Sequence, residues 1–191
     1  KTNYIQSTRK PMQRSFWIKL HLIAAAFFTP ALLLVAVSGG LYLVGIKGEI
    51  TQTPVTVPAG QTLDPKSPTL DADVRAFLQS VDIEPDFEYV KVSGSTLYTR
   101  PTSEPHYEIQ ITPAGITMAH NRPSLQKALI ELHKGHGPQM FKDFQQAMAA
   151  ALLFILLSGT WLGLSSKGLR LTTVAAAGSG LALLLALVLA P

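Results

Sequence analysis

Three runs of apolar side chains constrain this chain more than any other feature. They cover Leu20–Ile46, Ala147–Leu164 and Leu171–Ala190, or 27, 18 and 20 residues. A bilayer core of about 30 Å needs about 20 apolar residues as helix, with a range of roughly 17–25. Backbone amides and carbonyls inside lipid must bond within the segment, so each run is expected to be a transmembrane helix. The first run is interrupted by Pro30, Ser38, Gly39, Gly40 and Gly45. It is too long for a signal peptide, and Gly45-Ile46-Lys47-Gly48-Glu49 is not cleavage-site chemistry. Because the chain opens on Lys1, its native start is expected upstream.

Charge sorts the polar residues around these runs. All 12 acidic residues lie between Glu49 and Asp143. The first 19 residues carry Lys1, Arg9, Lys10, Arg14 and Lys19 without an acid, and the short link after the second run carries Lys167 and Arg170. The positive-inside rule then places segment 1–19 and link 165–170 in the cytoplasm, and the long insert outside. The expected order is a cytoplasmic segment 1–19, helix 20–46, an outside domain with its linker 47–143, helix 144–164, a link 165–170 and helix 171–191. Phe16, Trp17 and Trp161 fall at the inner interface of this scheme; Tyr42, Phe141 and Phe144 fall at the outer. The formal charge of +4 follows from membrane topology and is no nucleic-acid signature.

The insert reads as a small α+β domain. Residues 51–68 are rich in Thr, Pro and Gly and suggest an extended linker. Leu70, Val74, Phe77, Leu78 and Val81 recur at helical spacing behind Thr69 or Asp71. Phe87–Val92 and Thr96–Arg100 form a hairpin around Ser93-Gly94-Ser95. The next strand puts Tyr107, Ile109 and Ile111 on one face and His106, Glu108 and Gln110 on the other. Thr112-Pro113-Ala114-Gly115 turns it into a strand carrying Ile116 and Met118. Pro123–Lys134 reads as a second helix. About 70 residues with so few large apolar groups make a marginal core, expected to lean on the membrane or a partner.

Without cysteine there is no disulfide, thiolate metal site, iron–sulfur cluster or cysteine nucleophile. No phosphate loop, dinucleotide fingerprint or serine-nucleophile motif is present. The second and third apolar runs hold no ionisable residue, which argues against a proton or ion path through this chain alone.

Phe16-Trp17-Ile18-Lys19-Leu20-His21, Val37-Ser38-Gly39-Gly40-Leu41-Tyr42, Leu132-His133-Lys134-Gly135-His136-Gly137 and Leu157-Ser158-Gly159-Thr160-Trp161-Leu162 occur in that order. In this order the chain resembles the PepSY-associated transmembrane family, over most of residues 15–170, in a short form. The resemblance implies a bacterial inner-membrane, multi-pass protein: three transmembrane helices with a small periplasmic PepSY-like domain inserted between helices 1 and 2. The two Ser-Gly stretches look like one motif used twice. Ser38, Gly39, Gly40, Ser158, Gly159, Gly178 and Gly180 are expected to serve close helix packing.

Some larger relatives are similar to haem-bearing reductases, which draws attention to the histidines. A membrane haem b takes two histidines at similar depth. His21 belongs to the inner end of the first span; His133 and His136 precede the second. These sites are on the order of 30 Å apart by helix rise, so one haem cannot bridge them. Alternative roles are a polar group at the interface for His21 and helix-terminus contacts for His133 and His136. The i, i+3 spacing of the latter also allows a metal pair if helix persists, although two ligands are too few for zinc. His106 and His120 are expected to be exposed strand residues.

The leading expectation is a non-catalytic accessory or scaffolding subunit of a larger membrane complex, respiratory or iron-related. It needs no cofactor, and its partners are the lipid bilayer, other integral membrane subunits or a homodimer copy, with no nucleic acid. Two alternatives stand beside it. One is a haem b electron-transfer or reductase subunit using His21, His133 or His136. The other is a periplasmic sensor or protease-inhibitor module.

Overall fold

The computed structural model describes residues 12–190, with side chains from Arg14 onward. Lys1, Arg9 and Lys10 of the expected cytoplasmic segment lie outside the described residues. The chain divides into two compact units: a helical unit, Lys1–Pro30 with Ala147–Pro191, and an α+β unit, Ala31–Gln146.

Three helices are long and apolar enough to cross a membrane: α1 (Met12–Leu43), α4 (Gln139–Leu164) and α5 (Arg170–Leu189). They correspond to the three apolar runs, with three ends clearly shifted. α1 starts earlier than Leu20 because residues from Met12 to Lys19 contain no helix breaker. It stops before Ile46 because Gly45 takes a left-handed φ of +89°. The Gly45 amide donates to the Tyr42 carbonyl (3.1 Å) and the Ile46 amide to the Leu41 carbonyl (2.9 Å), the paired bonds of a Schellman ending. α4 begins eight residues ahead of Ala147, and its first amide, on Gln139, donates to both oxygens of Glu88 (2.9 and 3.1 Å). A carboxylate there also complements the helix dipole.

The α+β unit holds β1 (Ile50–Val55), α2 (Leu70–Ser80), β2 (Tyr89–Ser93), β3 (Thr96–Arg100), β4 (His106–Thr112), β5 (Gly115–Pro123) and α3 (Leu125–His133). All strand pairs are antiparallel, in the order β1-β5-β4-β3-β2. The expected linker 51–68 therefore begins with a strand that adds to the sheet edge. Its sequence hid this: Thr51, Gln52, Thr53 and Pro54 show no apolar alternation, and proline is tolerated where one strand edge needs no partner.

The α2 pattern is borne out, with Val74, Phe77 and Leu78 buried. They meet Phe87, Leu97, Ile109 and Met118 on one sheet face. Asp71 Oδ1 accepts the Val90 amide (2.9 Å), and the Arg75 guanidinium lies 4.0 Å from the Phe87 ring centroid. The other sheet face carries His106, Glu108 and Asn121 toward α3.

α3 is clamped at both ends. Ser124 caps it, its Oγ accepting from the amides of Lys127 (3.3 Å) and Glu49 (3.1 Å). Gly48 sits so close that a Cβ there would lie 2.5 Å from the Lys127 nitrogen. The far end closes as α1 does: Gly135 is left-handed (φ +76°), with its amide on the Leu132 carbonyl (3.0 Å) and the His136 amide on Glu131 (2.9 Å).

Candidate functional site

Each Ser-Gly stretch receives one histidine. In the helical unit, His21 Nδ1 and Ser158 Oγ are 2.8 Å apart. Gly159 makes room for the ring, since a Cβ there would lie 3.2 Å from His21 Cε1. Trp17 packs beside the pair, 6.0 Å from Trp161 and 6.4 Å from Phe154 between ring centroids. An apolar cleft of about 360 Å³ opens among Trp17, Phe154, Leu157, Ser158 and Trp161.

The α+β unit repeats the arrangement with the other copies. His133 Nδ1 and Ser38 Oγ are 3.4 Å apart, and a Cβ on Gly39 would lie 3.0 Å from His133 Cε1. Ser38 is 1% exposed and Ser158 7%. Both serine hydroxyls also turn back to their own helix, onto the carbonyls of Val35 (3.2 Å) and Ile155 (3.3 Å). A hydroxyl that donates to its helix accepts from the imidazole; the ring then carries its proton on Nδ1, leaving the Nε2 lone pair free. Neither the His21 nor the His133 ring has a further hydrogen bond among the described residues.

His133 and His136 do not form a pair. The Gly135 reversal carries His136 back over its own helix, where Nδ1 meets Glu131 Oε2 at 2.6 Å. Among the described residues no group of three or more His, Cys, Asp or Glu is arranged to hold a metal. Glu131, 10% exposed, also accepts from Thr102 (3.1 Å) and pairs with Lys127 (3.2 Å) and Lys134 (3.7 Å). Burial pushes its carboxyl up. The hydrogen bonds from His136 and Lys127, the Lys127 charge and the Thr102 hydroxyl outweigh that and hold it down at about 2.

His106 corrects an expectation: it is 4% exposed rather than a surface strand residue. Its Nδ1–H donates to the Glu104 carbonyl (2.8 Å), and burial holds its pKa below the usual 6.5, with the Arg100 charge acting the same way. His120 is half-buried and stacks on Tyr107 at 4.8 Å. Sequence reading also missed the buried polar atoms beside His106: Arg100 Nε and Asn121 Oδ1 have no hydrogen-bond partner among the described residues. Nothing local marks them, because both arise from cross-strand placement.

The remaining packing residues differ in use. Gly163 faces Thr173, which brings α4 and α5 close at that point. Gly40, Gly178 and Gly180 have open space around them. No residue of α5 is buried.

Comparison with protein-family models, with curated proteins and with solved structures finds no match for this chain.

Proposed function

We propose that the protein is a PepSY-type, non-catalytic subunit of the bacterial inner membrane, with its N-terminus cytoplasmic and its α+β unit periplasmic. It scaffolds or stabilises a larger membrane assembly, respiratory or iron-related. The observation that carries this reading is α5. It has the length and hydropathy of a span, yet no residue of it is buried by the other described residues, and Gly178-Ser179-Gly180 lies open on it. Small residues on a span permit close approach of another helix. The test is gentle solubilisation from native membranes followed by mass measurement in detergent. A stable larger assembly, lost on Gly178→Leu with Gly180→Leu, is expected; a lone monomer overturns the reading.

A second reading, a haem b electron-transfer subunit, draws on the two Ser–His pairs. A metal-ligating imidazole characteristically fixes its other nitrogen in a hydrogen bond, as His21 and His133 do. The fit is half a site at most, because His133 lines its cleft and His21 only stands beside the other through Ser158, where a bis-histidine haem needs two ligands. A second copy, pairing His21 with its counterpart, or another subunit has to complete it. An absorbance spectrum of the purified chain before and after dithionite decides this. A reduced α-band lost in His21→Ala or His133→Ala supports it; a featureless visible spectrum removes it.

A further inference from the structure

The α+β unit has one cleft with the character of an amphiphile site. It measures about 350 Å³ and lies between the last turns of α1 and the end of α3, with Gly39, Leu43, Ile130 and His133 on its walls. Its interior is apolar, and its rim is cationic. Lys47 Nζ and Lys134 Nζ each lie 5.3 Å from the centre of the same Tyr42 ring. Tyr42 is thus flanked by two ammonium groups at the point where the apolar helix ends.

The local charge is not balanced. Among the described residues Lys134 pairs only with Glu131, at 3.7 Å, and that carboxylate is already engaged more closely by His136 and Lys127. Lys47 makes no ion pair among the described residues. An apolar slot that opens beneath two under-neutralised ammoniums complements one molecular shape: an acyl chain below and a phosphate above. The tyrosine between the lysines also suits the headgroup level, where amphipathic rings concentrate.

We propose that this cleft binds an anionic phospholipid, its phosphate held between Lys47 and Lys134 and one acyl chain lying along Gly39, Leu43 and Ile130. The inference rests on the reading that α1 spans the membrane. The lipid fills a slot that the chain leaves open and secures α3 to the end of α1, where His133 meets Ser38.

The experiment uses the full chain inserted in vesicles of phosphatidylcholine mixed with phosphatidylglycerol, then extracted in mild detergent and weighed intact by native mass spectrometry. Phosphatidylglycerol is expected to be retained in preference to phosphatidylcholine. The preference should fall about five-fold for each of Lys47→Gln and Lys134→Gln, and stay unchanged in Lys167→Gln. Far-UV circular dichroism of the same samples confirms that each variant keeps its helices. Equal retention of the two lipids overturns the proposal, as does an undiminished preference in the double lysine variant. A loss of equal size in Lys167→Gln overturns it too, since that reports general surface charge. Displacement of the lipid by glycerol phosphate alone, or retention of a quinone instead, rejects this occupant. A chain that washes out of membranes in carbonate defeats the spanning reading; one that stays but shows no lipid preference defeats only the lipid site.

Discussion

The two Ser–His pairs are built from the same parts and supported differently. His21 meets Ser158 at 2.8 Å among Trp17, Phe154 and Trp161, with no ion pair nearby among the described residues. His133 meets Ser38 at 3.4 Å on a helix whose other side is tied down by Glu131, Lys127 and His136. One pair depends on the hydrogen bond and aromatic packing; the other depends on charges that position its helix. The serine–histidine bond is therefore expected to matter more in the helical unit, and the surrounding electrostatics more in the α+β unit.

The largest separation of the two should come from Glu131→Ala. Removing the acid from Lys127, Lys134, His136 and Thr102 should cost the α+β unit about 1.5–3 kcal/mol, since the groups left behind keep access to water. Hydrogen exchange should accelerate through α3 and leave residues 150–164 of α4 unchanged; equal acceleration in both would erase the contrast. Acid should reproduce the effect. Glu131 titrates near 2 when folded against an ordinary 4.5, so its stabilisation is present above pH 4.5 and is lost as pH falls toward 2. His106, held neutral by burial, adds a loss that begins as pH drops below 6.5. Thermal melts from pH 7 to pH 3 should show the α+β unit weakening first.

Overpacking should come next. Gly39→Val and Gly159→Val each drive a branched side chain into an imidazole, at about 1–3 kcal/mol. Gly39 should be the worse, since its Cβ has 3.0 Å against 3.2 Å. Denaturant midpoints in detergent test the order. The smallest effect belongs to the hydrogen bonds themselves. Ser158→Ala should cost about 1 kcal/mol and Ser38→Ala less, given their lengths. Double-mutant cycles with His21→Phe and His133→Phe measure the two couplings, and a larger coupling for Ser38 would reverse the comparison.

Much of the local structure was readable because its causes are local. A bilayer-length apolar run is a composition property, and the α2 stripe is a periodicity. The ion pairs of Glu131 went unread, although Lys127 and Lys134 stand four and three residues away on the same helix. β1 was not readable, because an edge strand of Thr, Gln and Pro needs neither a buried face nor two bonded edges. Nor was the burial of His106, which depends on how α3 lies over β4 and β5 rather than on strand alternation.

By itself the sequence determined three apolar helices and one acidic insert; that Gly45 and Gly135 turn left-handed and end their helices came only with the structure. Tertiary structure alone decided the partnerships. His21 and Ser158 are 137 residues apart, and His133 and Ser38 are 95 apart. Either histidine is chemically able to meet either serine, so the choice lies in topology. The physical reason is range: propensity, capping and hydropathy act within a few residues, whereas a hydrogen bond across two helices exists only once packing has brought its donor and acceptor together.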